Sequence, residues 1–135
     1  MSDAAAVHRQ MFEAAQAMDI ERMRATFHPD YTYTGTDGST AGIEASIEVA
    51  QTFITAMPDL EFEFRHQWSP RDDVSIIELT AKGTHTGPLG DLPPTGRRVE
   101  IFGCNVVEVV DGKILRERDY FDEMALMRQL GVMEE

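Results

Sequence analysis

The hydrophobic period of this chain changes once, from helical to alternating, and that change at Leu60 constrains the fold more than any other feature. Upstream of it, Val7, Met11, Ala14, Ala15 and Met18 recur at helical spacing behind a candidate cap at Ser2, and Asp19 caps a short second helix ending near Phe27. His28-Pro29-Asp30 breaks that helix, residues 31–34 read as a short strand, and Gly35-Thr36-Asp37-Gly38-Ser39 reads as a loop. Ile43, Ile47, Ala50, Ile54 and Met57 mark one face of a third helix, which Pro58 stops.

Downstream, Leu60, Phe62, Phe64 and Trp68 alternate with Glu61, Glu63, Arg65 and Gln67, the pattern of a strand with one buried and one wet face. Asp72-Asp73 makes a turn into a second long strand over 74–85. A loop containing Pro93-Pro94 covers 86–96. A third strand over 98–110 turns at Asp111-Gly112 into a fourth over 113–121, and a last helix runs from Asp122 to Leu130, with Gly131 as its stop. Helices followed by antiparallel strands predict an α+β domain with helices packed on one face of a curved sheet. With 135 residues, no internal repeat and no linker, one domain is expected.

Charge narrows the partners. Twenty-four Asp and Glu against 12 Lys and Arg give a formal −12, which repels nucleic acid and anionic membrane surfaces. No stretch reaches the roughly 18 apolar residues of a membrane helix, and the first residues lack a basic region followed by an apolar core. The single Cys104 has no disulfide or metal-ligand partner at useful spacing, so a cytoplasmic location is expected. No pair among the four histidines has zinc-site spacing, and no Gly-x-Ser-x-Gly or phosphate-loop string occurs. On the strand over 98–110, Ile101, Val107 and Val109 are apolar on one face and Phe102, Cys104 and Val106 on the other. A second cover is therefore expected outside the sheet, in a homodimer or homotetramer.

Several strings occur in a specific order: His28-Pro29-Asp30-Tyr31, Gly83-Thr84-His85-Thr86-Gly87, Leu92-Pro93-Pro94-Thr95-Gly96-Arg97-Arg98, Val110-Asp111-Gly112-Lys113-Ile114, Arg118-Asp119, and Leu126-Met127-Arg128-Gln129-Leu130-Gly131. Together they resemble the SnoaL-like polyketide cyclases, members of the NTF2-like cone fold, over nearly the whole chain. The resemblance implies a cone-shaped cavity holding a small apolar carbonyl-containing substrate, a polyketide ester. It implies ring closure by intramolecular aldol condensation without metal or organic cofactor. The family's acid–base aspartate matches Asp119, and a histidine that assists it in the best-known cyclases is matched by Asn105.

The turn decides whether those two side chains meet. A two-residue loop at Asp111-Gly112 pairs Val110 with Lys113 and sets Asn105 opposite Arg118. A three-residue loop over 111–113 pairs Val110 with Ile114 and sets Asn105 opposite Asp119, with Cβ atoms about 5 Å apart. The resemblance favours the second, placing Glu117, Asp119 and Phe121 on the inner face with Ile101, Gly103, Asn105 and Val107. An aspartate walled by apolar groups has its pKa raised by desolvation, which suits a group that takes and returns a proton. The Asn105 amide is then a candidate donor to the developing oxyanion.

Each assignment has a plainer counterpart. Asp119 beside Arg118 reads equally as a surface ion pair, Asn105 as a buried backbone partner, and Asp122 as a helix cap. His85 flanks the long loop and is either a cavity-mouth residue or a structural hydrogen-bonding group. Tyr33, Phe53, Phe62, Trp68 and Phe121 are pocket walls or plain core. Alternative functions for the same cavity are another NTF2-like isomerase, dehydratase or hydroxylase, or a non-catalytic module that binds a hydrophobic ligand.

Overall fold

A computed structural model describes residues 3–132, so the expected Ser2 cap lies outside the described residues. The elements run α1 (Asp3–Gln16), α2 (Ile20–Thr26), β1 (Phe27–Thr34), β2 (Thr40–Ala41), α3 (Ile43–Ala56), β3 (Glu61–Arg71), β4 (Val74–Thr84), β5 (Arg98–Val110), β6 (Lys113–Phe121) and α4 (Glu123–Leu130). The α+β expectation holds. Asp19 caps α2 by accepting from the Arg22 amide at 3.2 Å, and Asp122 caps α4 by accepting from the Ala125 amide at 3.0 Å. Gly131 closes α4 in the left-handed region at φ 76°, where glycine carries no Cβ penalty.

Six strands form one sheet in the order β2-β1-β6-β5-β4-β3, antiparallel throughout except for the parallel pair β1 and β6. The sequence reading omitted β2 and began β1 at Tyr31; the strand in fact takes in His28-Pro29-Asp30. Proline is tolerated at such a position because β1 breaks register with β6 between Phe27 and Thr32, so no regular ladder donor is lost there.

α1 lies across the sheet with Ala4, His8, Met11 and Phe12 buried against it. Gln16 fastens its end to β3, donating to the Leu60 carbonyl and accepting from the Phe62 amide. One core cluster joins α1 and α2 to Tyr31, Ile77, Leu79, Val107, Val109 and Ile114. A second joins the end of α3 to Val99, Ile101 and the α4 residues Leu126 and Leu130. Beyond β4, the amides of Thr86 and Gly87 both donate to the Ala56 carbonyl. Gly87 is required there, because any Cβ would run into the carbonyl of Thr55.

Two bulges set which side chains face inward. On β3 the register shifts between Phe64 and His66, so Gln67 takes the inner position opposite Ile77 and Trp68 pairs with Ile76 on the outer face. The simple alternation that put Trp68 beside Phe62 and Phe64 is thereby corrected.

The second correction concerns the β5–β6 hairpin. Its loop is the two-residue turn, Val110 pairing with Lys113, and Asp111 and Gly112 both adopt positive φ (53° and 74°) as a tight hairpin turn demands. Asn105 nevertheless faces Asp119. Val109 pairs with Ile114 and Glu108 with Arg116, so Leu115 is an extra residue whose bulge supplies the one-residue shift expected from a longer loop.

Candidate active site

Between the helices and the concave sheet lies a cavity of about 200 Å³. Its walls are almost wholly apolar: Met11, Phe12 and Ala15 from α1, Phe53, Ile54 and Met57 at α3, Phe62, Leu79 and Ile101 from the sheet, Phe121 and Leu126 at the far end. Among the described residues the polar groups lining it are Tyr33, Ser46, Asn105, Glu117 and Asp119, and no Lys, Arg or His lines it.

β6 delivers both carboxyls, because residues two apart on a strand share a face. Glu117 is buried and Asp119 partly buried towards the cavity. Asn105 reaches across from β5 and gives its two amide hydrogens to them, at 2.9 Å to Glu117 Oε2 and 3.1 Å to Asp119 Oδ1. The Tyr31 hydroxyl donates to Glu117 Oε1 at 2.5 Å and stands 2.9 Å from Ser46 Oγ, while the Tyr33 hydroxyl donates to Asp119 Oδ2 at 3.4 Å.

Behind Asn105 stands a histidine that the sequence reading left without a role. His8, fully buried on α1, places Nε2 2.7 Å from Asn105 Oδ1 and Nδ1 2.8 Å from Ser75 Oγ. This imidazole comes from the first helix, and Asn105 stands between it and the carboxyls. The signal was present, since Ala4, His8, Met11, Phe12 and Ala15 fall on one helical face.

Burial sets the proton affinities. Desolvation pushes Glu117 from the ordinary 4.5 up to about 7, against the pull of the hydrogen bonds from Tyr31 and Asn105. Desolvation likewise raises Asp119 above the usual carboxylate range, with Asn105 and Tyr33 opposing. His8 is driven down to about 4, chiefly by burial, and stays neutral across the physiological range. Both tyrosines are raised, by desolvation first and then by the neighbouring carboxylates, so they act as hydroxyl donors.

Of the residues singled out from sequence, Asp119, Asn105, Tyr33, Phe53, Phe62 and Phe121 line this cavity. Trp68 does not; it is stacked on His66 on the outer face, 49% exposed. Nor does His85, which is buried with Nδ1 accepting from the Thr95 amide at 3.2 Å and 2.9 Å from Thr95 Oγ1, bracing the 85–97 loop. The inner placement of Glu117 was expected from register, whereas Tyr31 was read as part of a short strand and of the His28-Pro29-Asp30-Tyr31 string, without a role in the site. Its i, i+2 relation to Tyr33 is the signal that aims both hydroxyls at the carboxyls.

Known proteins share this architecture and, over most of the chain, up to about a third of its residues. The family model of SnoaL-like polyketide cyclases matches residues 5–130. The chain is 31% identical over 134 residues to the aklanonic acid methyl ester cyclase AcmA of Streptomyces galilaeus, covering 97% of this chain and 92% of that protein. It is 32% identical over 128 residues to the nogalonic acid methyl ester cyclase of Streptomyces nogalater, covering 89% of each. Among solved structures, IdmH, a putative polyketide cyclase from Streptomyces antibioticus, superposes with a TM-score of 0.84 at 25% identity, over 96% of this chain and 99% of that one. A SnoaL-like protein from Jannaschia sp. CCS1 superposes at 0.87 with 20% identity, over 98% and 94%, a likeness of fold. With the family model matching residues 5–130 and a cyclase relative 31% identical along almost its whole length, the chain belongs to the SnoaL-like polyketide cyclase family.

Proposed function

We propose that the cavity closes a ring in a neutral polyketide ester by intramolecular aldol condensation, with Asp119 as the acid–base group. The observation that carries this reading is Asp119 itself, a carboxyl of raised proton affinity aimed into an apolar cavity and held on both oxygens by neutral donors. Ionised Asp119 removes a proton from a carbon between two carbonyls. The resulting carbanion attacks a ketone of the same molecule, the C=O electron pair moves onto oxygen, and Asp119 returns the proton to that oxygen. A positioned group of this kind contributes roughly 10²–10⁴ in rate.

The Tyr33 hydroxyl serves as donor to the developing oxyanion, because its 3.4 Å contact with Asp119 is weak enough to exchange for a shorter one. Asn105 serves the carboxyls instead, since both its amide hydrogens are already committed to them. Two carboxyls, with no cation among the described residues of the cavity walls, disfavour an anionic substrate, so esterification of the polyketide acid is a condition for entry. Incubation with nogalonic acid methyl ester and with the free acid tests this: ring closure of the ester alone is expected, and equal turnover of the acid contradicts it.

We also propose that a second copy of the chain covers the outer face of the sheet, where Phe102 is 67% exposed, Tyr120 50% and Trp68 49%, with the Arg65 guanidinium 5.0 Å over the Phe102 ring. The lone thiol of Cys104 on that face suits a reducing cytoplasm.

A further inference from the structure

We propose that His8 is a positioning residue, the link through which a one-way chain of hydrogen bonds from Arg9 locks the Asn105 amide with its NH₂ end on Asp119. The inference rests on Asp119 as the acid–base group and adds how its proton is directed.

Donor and acceptor counts fix the two ends of the chain, the Arg9 guanidinium and the Asn105 amide, and one direction joins them. A guanidinium only donates, so Gln67 must present Oε1 to Arg9 Nε at 2.6 Å. That turns the Gln67 NH₂ group to the Ala5 carbonyl at 3.0 Å and to Ser75 Oγ at 3.1 Å. Ser75, accepting there, keeps its one hydrogen available to His8 Nδ1 at 2.8 Å. Neutral His8 then carries its hydrogen on Nε2 and donates to Asn105 Oδ1 at 2.7 Å. The Asn105 end selects that direction: with Oδ1 turned to the ionised carboxylates of Glu117 and Asp119, oxygen lone pairs would face one another with no hydrogen between them.

A free asparagine would not hold this orientation through a catalytic cycle. Once Asp119 has taken the substrate's proton, an amide able to turn over would offer Oδ1 to that O–H and divert it from the oxyanion. Tied from behind by His8, Asn105 has no acceptor to offer, and the proton on Asp119 is left to the substrate. The titratable groups within electrostatic reach of Asp119 are Glu117 on its own strand, Tyr33 from β1 and Cys104 from β5; Arg9 is the one acting on His8.

The test has one arm without substrate and one with it. In ¹⁵N-histidine spectra of the full chain, His8 is expected to show a protonated Nε2 and a bare Nδ1 from pH 5.5 to 8, and Asn105→Leu, which removes the acceptor facing Nε2, is expected to bring in the other tautomer. In ring closure of nogalonic acid methyl ester, His8→Leu is expected to lower kcat on the order of 10²-fold, with KM within about twofold, and to move the acid limb of the pH profile upward. His8→Gln, which keeps an N–H donor, recovers most of the loss. A His8 protonated on Nδ1, a folded Asn105→Leu whose His8 spectrum is unchanged from the parent, or a folded His8→Leu with the parent's profile overturns the proposal. If the parent turns over neither aklanonic nor nogalonic acid methyl ester while its tautomer is as expected, the cyclase reading fails and the chain of hydrogen bonds stands.

Discussion

Asn105 and Asp119 sit directly opposite each other on β5 and β6, Nδ2 3.1 Å from Oδ1, although the turn that joins their strands would by itself pair Asn105 with Arg118. One bulged residue, Leu115, separates those two outcomes. The charge-bearing side chains of β6 are sorted by it, Glu117 and Asp119 inward and Arg116 and Arg118 outward to Glu108 at 3.5 and 2.9 Å.

Tyr33 is assigned the oxyanion, and its loss has two separable effects. Tyr33→Phe is expected to lower kcat by about 10²-fold, as removal of one oxyanion donor does. Its hydrogen bond also helps hold Asp119 ionised, so the acid limb of the pH profile moves to higher pH. Steady-state kinetics across pH 5 to 9 check both, and an unchanged kcat would reassign the donor.

Glu117 makes stability fall as pH rises. Its folded pKa, about 7, lies above the ordinary 4.5, so the folded state holds the proton more tightly and its contribution is complete below pH 4.5 and lost by about pH 7. His8, lowered from 6.5 to about 4, acts in the opposite sense: the unfolded chain takes up its proton first, and stability is lost as pH falls below 6.5. The two slopes oppose each other in the parent chain. Glu117→Gln removes the first slope and leaves those of His8 and Asp119, so its stability relative to the parent is expected to rise by about 2 kcal/mol between pH 4.5 and 6.5, from ~1.4 kcal/mol per pH unit. Denaturant unfolding at a series of pH values reads this directly, and a constant difference contradicts it.

Phe102 lies on the outer face, away from the cavity walls. Phe102→Glu is expected to yield a monomer in sedimentation velocity at micromolar concentration and to leave ring closure within about twofold, because exposed charge is depleted from the core of such contacts. A parent chain that is already monomeric at that concentration removes the basis for the outer-face contact.

The order of elements was legible because each depends on local signals: helical spacing in Ile43, Ile47, Ala50 and Ile54, alternation from Leu60, and Gly131 as a stop. The candidate site was legible in Asp119 and Asn105. What local reading missed were the features set by one extra residue in a strand. Arg65 and Leu115 look like ordinary members of an alternating run, yet one moves Trp68 out of the cavity and the other brings Asp119 into it. His8 escaped for a different reason. Its partners Ser75 and Asn105 lie 67 and 97 residues away, and only the packing of α1 on the sheet brings them together.

The central claim is that Asp119 carries the proton in ring closure. Single-turnover rates of Asp119→Asn against the parent chain on nogalonic acid methyl ester, each followed from pH 5 to 9, test it most directly. A fall of roughly 10²–10⁴, with the acid limb of the parent's profile absent from the variant, is predicted. A variant that closes the ring at the parent's rate, or retains the same acid limb, would contradict it.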